Sequence, residues 1–382
     1  MIYLDAAATS FLKPPCVAQA VVDAMHTVGS PGRGAHPLTL AASRTVWACR
    51  EAVAELLGAT DPARVCFTPN STAALNTAIC GLYGPGDHVI TTALEHNSVL
   101  RPLYRLEEQG LELTILPADE TGNIDYEDFA RALRPNTRGV VCTHASNVTG
   151  NTLDLKCIGN FCRAHGLTFV VDASQSAGVL EVNQQAVGAS VVCFTGHKGL
   201  LGPQGTGGLS VAPDVTLRPF VVGGSGVHSY DRRHPRDLPE GLEAGTLNAH
   251  GLAGLLAGIT YIKEQGRENL YRKEMKLART FVNGVRDLPG VTLYGDVDAP
   301  NRTAVVSLNL GEEDAGAVAD VLAQEFGICT RAGAHCAPLI HEALGTSARG
   351  AVRFSFSHLN TPQEVAQAVD AVADLARRLS PI

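Results

Sequence analysis

Ser190-Val191-Val192-Cys193-Phe194-Thr195-Gly196-His197-Lys198-Gly199 joins a short apolar run to a polar, glycine-flanked loop. The run is too short for a helix and lacks the polar alternation of a half-solvated strand. It reads as a strand covered on both faces, the signature of a parallel sheet between helices. Similar runs occur at 64–68, 88–93, 112–116, 139–143, 168–171 and 207–211. Helix-like stretches at 72–83, 98–109, 126–133 and 155–165 lie between many of them. This alternation predicts an α/β fold with a mostly parallel sheet. A ligand is then expected at the carboxyl ends of the strands.

Beyond residue 250 the pattern changes. Positions 252–271 and the charged run to about 286 read as long helix. Strand-like 291–294, 304–310 and 352–357 then alternate with helical 315–326 and 362–379, an α+β pattern. The expected division is a large domain of 15–250 and a small domain of 1–14 plus 251–382. Residues 223–234 read as a mobile loop. Pro31-Gly32-Arg33-Gly34-Ala35-His36 is a Gly-rich loop expected to border a substrate.

Of 382 residues, 45% are hydrophobic and 18% charged, which suits a packed globular chain. The net charge of -8 and the lack of a basic block argue against nucleic acid, whose phosphates need clustered Lys and Arg. No apolar run approaches the roughly 20 residues of a membrane span. An acid at Asp5 does not fit a signal peptide, so a cytoplasmic protein is expected. Most of the ten cysteines sit in apolar segments, such as Cys66, Cys142 and Cys193, and read as buried small hydrophobes.

Five constellations stand apart from this background. Lys198 is one of six lysines and lies at a strand end among small residues. Burial there lowers a lysine pKa and suits it to condensation with an aldehyde cofactor; an exposed loop lysine is the plainer alternative. Asp172, in Asp172-Ala173-Ser174-Gln175, ends the preceding strand. It can pair with a protonated pyridine nitrogen, or simply cap a helix. Asn70-Ser71-Thr72 opens a helix whose free N–H groups and hydroxyls can hold phosphate. His96, in Glu95-His96-Asn97-Ser98, can lie over a planar ring or move protons. Finally, Arg331-Ala332-Gly333-Ala334-His335-Cys336-Ala337-Pro338 reads as a loop in which Arg331 and His335 favour the Cys336 thiolate. Arg353 lies in an apolar strand and needs an anion, for which a substrate carboxylate would serve.

Taken in this order, the motifs resemble those of the cysteine desulfurase and selenocysteine lyase family, within the class V branch of fold-type I pyridoxal-phosphate enzymes. The resemblance runs from Tyr3-Leu4-Asp5-Ala6-Ala7-Ala8-Thr9 to the strand with Arg353. The short Arg-x-Gly-x-His-Cys-Ala loop is similar to that of the second desulfurase group, with Ala334 in place of a usual histidine. The resemblance implies that Lys198 holds pyridoxal phosphate and moves the α-proton. Asp172 would pair with the pyridine nitrogen, Gln175 with the ring oxygen, and His96 would stack on the ring. Thr72, Thr195 and His197 would hold the phosphate, joined by Thr246 of a second subunit. Asn147 and Arg353, with Arg331 and His335, would bind the substrate, L-cysteine or L-selenocysteine. Cys336 would take the sulfur and L-alanine would leave. A homodimer and a sulfur or selenium acceptor protein are also implied. An aminotransferase or β-lyase would need Lys198 and Asp172 but not Cys336. A non-catalytic sulfur carrier would need neither. A nicotinamide dehydrogenase is disfavoured because no strand leads into a G-x-G-x-x-G turn.

Overall fold

The computed structural model describes residues 1–32 and 34–379. Arg33, in the loop expected to border the substrate, lies outside them. The principal sheet has seven strands in the order Val65–Thr68, Gly207–Val211, Val191–Thr195, Thr168–Asp172, Thr137–Thr143, His88–Thr92, Glu112–Leu116. Only Gly207–Val211 runs against the others. It follows Val191–Thr195 without an intervening helix, and a connection that short can only return antiparallel. The expected mostly parallel α/β architecture is present, with one antiparallel strand added.

Helices cover both faces. One apolar cluster packs Val53, Leu57, Ile158 and Leu255 against Val140, Val171 and Phe194. The other packs Leu75, Ile79, Val99 and Leu103 against Val89, Val141 and Val170. The helices Pro15–Thr27 and Pro37–Leu57, which the periodicity did not single out, each start with a proline, whose missing N–H costs nothing in a first turn.

A four-stranded antiparallel sheet, Arg331–Gly333, Ala351–Ser355, Val305–Leu310 and Val291–Tyr294, packs under Arg267–Val285 and Pro362–Leu379. Here two expectations are corrected. The long helix is two, Ala249–Gln265 and Arg267–Val285, because Gly266 takes φ +79°, outside the helical range. Arg331–Gly333 is a short strand paired with Ala351–Arg353 rather than loop, because the sheet edge satisfies its backbone.

The N-terminal segment ties the sheets together. Ile2–Tyr3 pairs in parallel with Ile328–Cys329, and Asp5 bridges to Ser355. Further on, the Ser10 N–H donates to the His197 carbonyl at 2.8 Å. Arg302, buried, donates to the carbonyls of Thr149 at 2.9 Å, Asp296 at 3.0 Å and Val305 at 2.6 Å. One guanidinium thus joins the loop after Thr137–Thr143 to the loop after Val291–Tyr294 and the strand Val305–Leu310.

Candidate active site

The parallel strands end on one side. Their carboxyl-terminal loops deliver Ser71 and Thr72, His96, Thr143 and Asn147, Asp172 and Gln175, Thr195, His197 and Lys198 to one cavity of about 190 Å³. The second sheet closes it with Arg331, His335 and Arg353. Sequence-distant groups are brought together by the rule that open α/β sheets bind ligands at their carboxyl edges.

Lys198 follows the strand Val191–Thr195 and is half-buried where it opens onto the cavity. Burial pushes its amine from the ordinary 10.5 down to about 8. The Asp172 carboxylate opposes that shift, and Arg353 and Arg331 reinforce it. A neutral fraction of roughly a tenth is therefore present at neutral pH, far more than an ordinary lysine has, as condensation with a carbonyl requires. Asp172 ends Thr168–Asp172, and its Oδ1 accepts from the Ser174 N–H at 2.9 Å and from the Ser174 hydroxyl. The local capping role and an open face to the cavity coexist.

His96 caps the helix Asn97–Glu107: its Nδ1 accepts the Ser98 N–H at 3.0 Å. An accepting Nδ1 leaves the ring proton on Nε2. Burial pulls the ring pKa down to about 4, which Asp172 opposes. The result is a neutral ring lining the cavity. Ser98 Oγ lies 2.9 Å from His96 Nδ1 and 2.8 Å from Thr72 Oγ1, so one hydroxyl joins both residues. The Ser98 link was not inferred from sequence, although it lies in the quoted motif.

Thr195 Oγ1 is buried without a hydrogen-bond partner and faces the cavity beside Ser71 and Thr72. An orphaned hydroxyl next to the start of helix Ser71–Leu82 fits an anionic group. His197 Nδ1 contacts Thr9 Oγ1 at 3.1 Å, and burial lowers that ring to about 4. Gln175 donates from Nε2 to the Ala7 carbonyl at 3.0 Å. Thr246 is exposed and does not line this cavity within one chain.

Arg353 is buried, and its anion in this chain is Asp5: Nη2 to Oδ1 is 2.9 Å. Its Nη1 donates to the Asn147 carbonyl at 3.1 Å, and Nε has no partner among the described residues. Asp5 was not inferred as that counter-ion; only its place in the quoted N-terminal motif pointed to it. Glu95 was also missed. Fully buried, it accepts at Oε1 from Thr92 Oγ1 at 2.6 Å and from the Thr143 N–H at 3.0 Å. Burial drives its pKa up to about 8, against those two hydrogen bonds.

Cys336 does not line the cavity. It is exposed in an adjoining groove that shares Thr72, His96 and Ser98 with it. His335 and Cys336 both have positive φ, +50° and +57°. The strained turn is clamped by the Asn97 N–H on the Cys336 carbonyl at 2.6 Å and by Asn147 Nδ2 on the His335 carbonyl at 2.8 Å. The expectation that His335 adds positive charge beside the thiol is corrected. Its ring is buried, its Nε2 is 3.0 Å from the Ala351 carbonyl, and burial holds it neutral with a pKa of about 3. Among the described residues no cysteine is disulfide-bonded and no cluster of metal-binding side chains occurs. Cys66, Cys142 and Cys193 are buried as expected. No described helix is long and apolar enough to cross a membrane.

A family model described as aminotransferase class V matches residues 2–368. A probable cysteine desulfurase of Methanothermobacter thermautotrophicus is 36% identical, covering 98% of this chain and 94% of that protein. Cysteine desulfurase IscS of Vibrio cholerae is 32% identical, over 100% and 95%. The apo structure of a cysteine desulfurase from Thermococcus onnurineus NA1 aligns with a TM-score of 0.93 at 34% identity, over 99% of this chain and 95% of that one. Cysteine desulfurase CsdA of Escherichia coli, in an S-sulfonic acid form, aligns at 0.88 and 27%, over 99% and 95%. Matched along nearly its whole length in both sequence and fold, the chain belongs to the class V aminotransferase family, in its cysteine desulfurase branch.

Proposed function

We propose that this protein is a pyridoxal-phosphate-dependent cysteine desulfurase that converts L-cysteine to L-alanine and leaves the sulfur on Cys336. The observation that carries this reading is the pairing of a half-buried, pKa-lowered Lys198 with Asp172 in one cavity, while the exposed Cys336 lies in the groove next to it. The donor set fits the cofactor: an amine of lowered pKa, a carboxylate, a flat neutral imidazole and an orphaned hydroxyl by a helix start.

Pyridoxal phosphate would supply an aldehyde for amines and a ring that draws electrons from the substrate carbon. Lys198 Nζ would hold it and, once displaced by substrate, take the proton from the substrate α-carbon. Asp172 would keep the pyridine nitrogen protonated, Gln175 would reach the ring oxygen, and His96 would cover the ring face. Thr72, Thr195 and His197 would bind the phosphate, with Thr246 of a second subunit in a homodimer. Arg353, Asn147 and Arg331 would orient the substrate carboxylate, with His335 shaping the wall beside it. Cys336 Sγ would attack the substrate sulfur. A sulfur–sulfur bond forms, the carbon–sulfur bond breaks with its electron pair left on carbon, and a proton completes the methyl group of alanine. L-selenocysteine would enter the same site, and a sulfur or selenium acceptor would empty Cys336. The division into 15–250 and 1–14 plus 251–382 accords with this reading, because the site lies where the two sheets meet. The cytoplasm is the proposed compartment.

The test is a paired assay of purified protein with L-cysteine and L-selenocysteine, recording visible absorption and alanine. A yellow protein that makes alanine is expected. A colourless protein, or one that makes pyruvate instead, would overturn the assignment.

A further inference from the structure

The groove that holds Cys336 has a composition that the chemistry above does not use. It measures about 450 Å³ and is lined by Asn76, Asn97, Arg101, Pro102 and Arg105 besides the three residues shared with the cavity. No carboxylate lines it, in a chain whose net charge is -8. Neither Arg101 nor Arg105 forms an ion pair among the described residues.

The two arginines lie four positions apart on Asn97–Glu107, hence one turn apart on one face. Like charges at that spacing repel, and a helix gains nothing from them unless an anion sits between. Arg105 is also held in place. Its Nη2 lies 2.9 Å from Cys80 Sγ and its guanidinium is 5.3 Å from the Phe220 ring centre. Cys336 is fixed opposite by the clamped turn, so thiol and cations share one wall-to-wall space.

We infer that this groove is the binding site for a small thiol that carries carboxylates and takes the sulfur from Cys336. The inference rests on the desulfurase reading and names the acceptor chemistry of that site. The acceptor thiolate attacks the outer sulfur of the Cys336 persulfide. A new sulfur–sulfur bond forms to the acceptor, and the bond to Cys336 Sγ breaks with its electron pair on Cys336. Cys336 returns as thiolate and the acceptor leaves as a persulfide, so no outside oxidant or reductant is needed. The arginines hold the acceptor's carboxylates and bring its sulfur to Cys336.

The groove can be tested without turnover, by thiol–disulfide exchange at Cys336. The probes are dianionic dithiobis(nitrobenzoate), neutral dithiodipyridine and dicationic cystamine, each normalised to its rate with a free thiol. Cys336→Ser supplies the background from the other exposed cysteines, Cys16 and Cys157. At low salt the dianion should react at Cys336 at least about tenfold faster than the dication, and salt should erase the difference. Arg101→Gln and Arg105→Gln together should cut the dianion rate by about tenfold and leave the neutral probe within about twofold. In the second arm, persulfide-loaded protein should release sulfur faster to mercaptosuccinate than to mercaptoethanol, with the preference lost in the double variant. A wild-type protein without charge preference, or a double variant that keeps it, overturns the inference. Failure of the desulfurase reading would show separately, as absence of alanine from L-cysteine with the probe rates still measurable.

Discussion

The Lys198 cavity and the Cys336 groove share a wall but are built in opposite ways. The cavity stands on regular strand ends, with its ionisable groups half-buried and pushed toward their neutral forms: Lys198 down to about 8, His96 and His197 to about 4. The groove stands on a strained turn, with an exposed cysteine and two arginines that form no ion pair among the described residues. Proton movement profits from groups poised between charge states in a dry place. Sulfur transfer needs a nucleophile that a second molecule can reach. The two halves of one reaction therefore call for different solvents, and the fold supplies them side by side.

The sharpest way to break this comparison is to remove the anchor on the buried side. Lys198→Ala should lower alanine formation by about a thousandfold or more, since the α-proton loses its acceptor. A residual rate within tenfold of wild type would mean that another group serves. On the exposed side, Cys336→Ala should cost at least about a hundredfold with L-cysteine while visible absorption persists. L-selenocysteine should be partly spared, because selenolate leaves more readily; equal loss with both would show that Cys336 serves more than sulfur capture. Arg353→Lys should raise KM for L-cysteine by about tenfold, with less change in kcat, by losing the bidentate fork. A kcat effect alone would reassign Arg353 to holding Asp5.

Two smaller effects sharpen the electrostatics. In cofactor-free protein the Lys198 pKa lies at about 8, below its ordinary 10.5. Between those values the unfolded chain binds more protons than the folded one, so stability rises with pH from about 8 to 10.5. Lys13, also lowered to about 8 by burial, acts in the same direction. Denaturant titrations of Lys198→Met across this window should show a shallower rise; an unchanged slope would remove Lys198 from the account. Glu95, with its pKa up to about 8, is largely protonated at neutral pH. Glu95→Gln should then change stability by less than about 1 kcal/mol, while Glu95→Ala, which frees Thr92 Oγ1 and the Thr143 N–H, should cost about 1–3 kcal/mol. Equal losses would mean that the carboxyl is charged.

The buried half was the more legible in sequence. Lys198, Asp172, His96 and Thr72 follow apolar runs directly, so the strand pattern alone places them at one edge of one sheet. Groups that act through distant partners left no local trace. Asp5 reaches Arg353 across 348 positions, and nothing in either segment's periodicity records the pairing. The charge state of His335 was misread for a related reason: adjacency to Cys336 in the chain says nothing of which way a ring turns. The break at Gly266 was concealed because apolar spacing continues on both sides, and one φ value decides it.

The N-terminal strand has a consequence for biosynthesis. Residues 2–5 pair with 328–329 and 355, so this segment waits for partners that are synthesised far later than itself. Because such long-range pairings bear the full entropy of loop closure, they form late. The central sheet can assemble first, and Ala7 and Thr9 find Gln175 and His197 about midway along the chain, whereas Ile2, Tyr3 and Asp5 must wait for Ile328, Cys329 and Ser355. A half-made protein thus carries its lysine and aspartate without Arg331, His335 and Arg353, and the cavity stays open on that side until the second sheet is made.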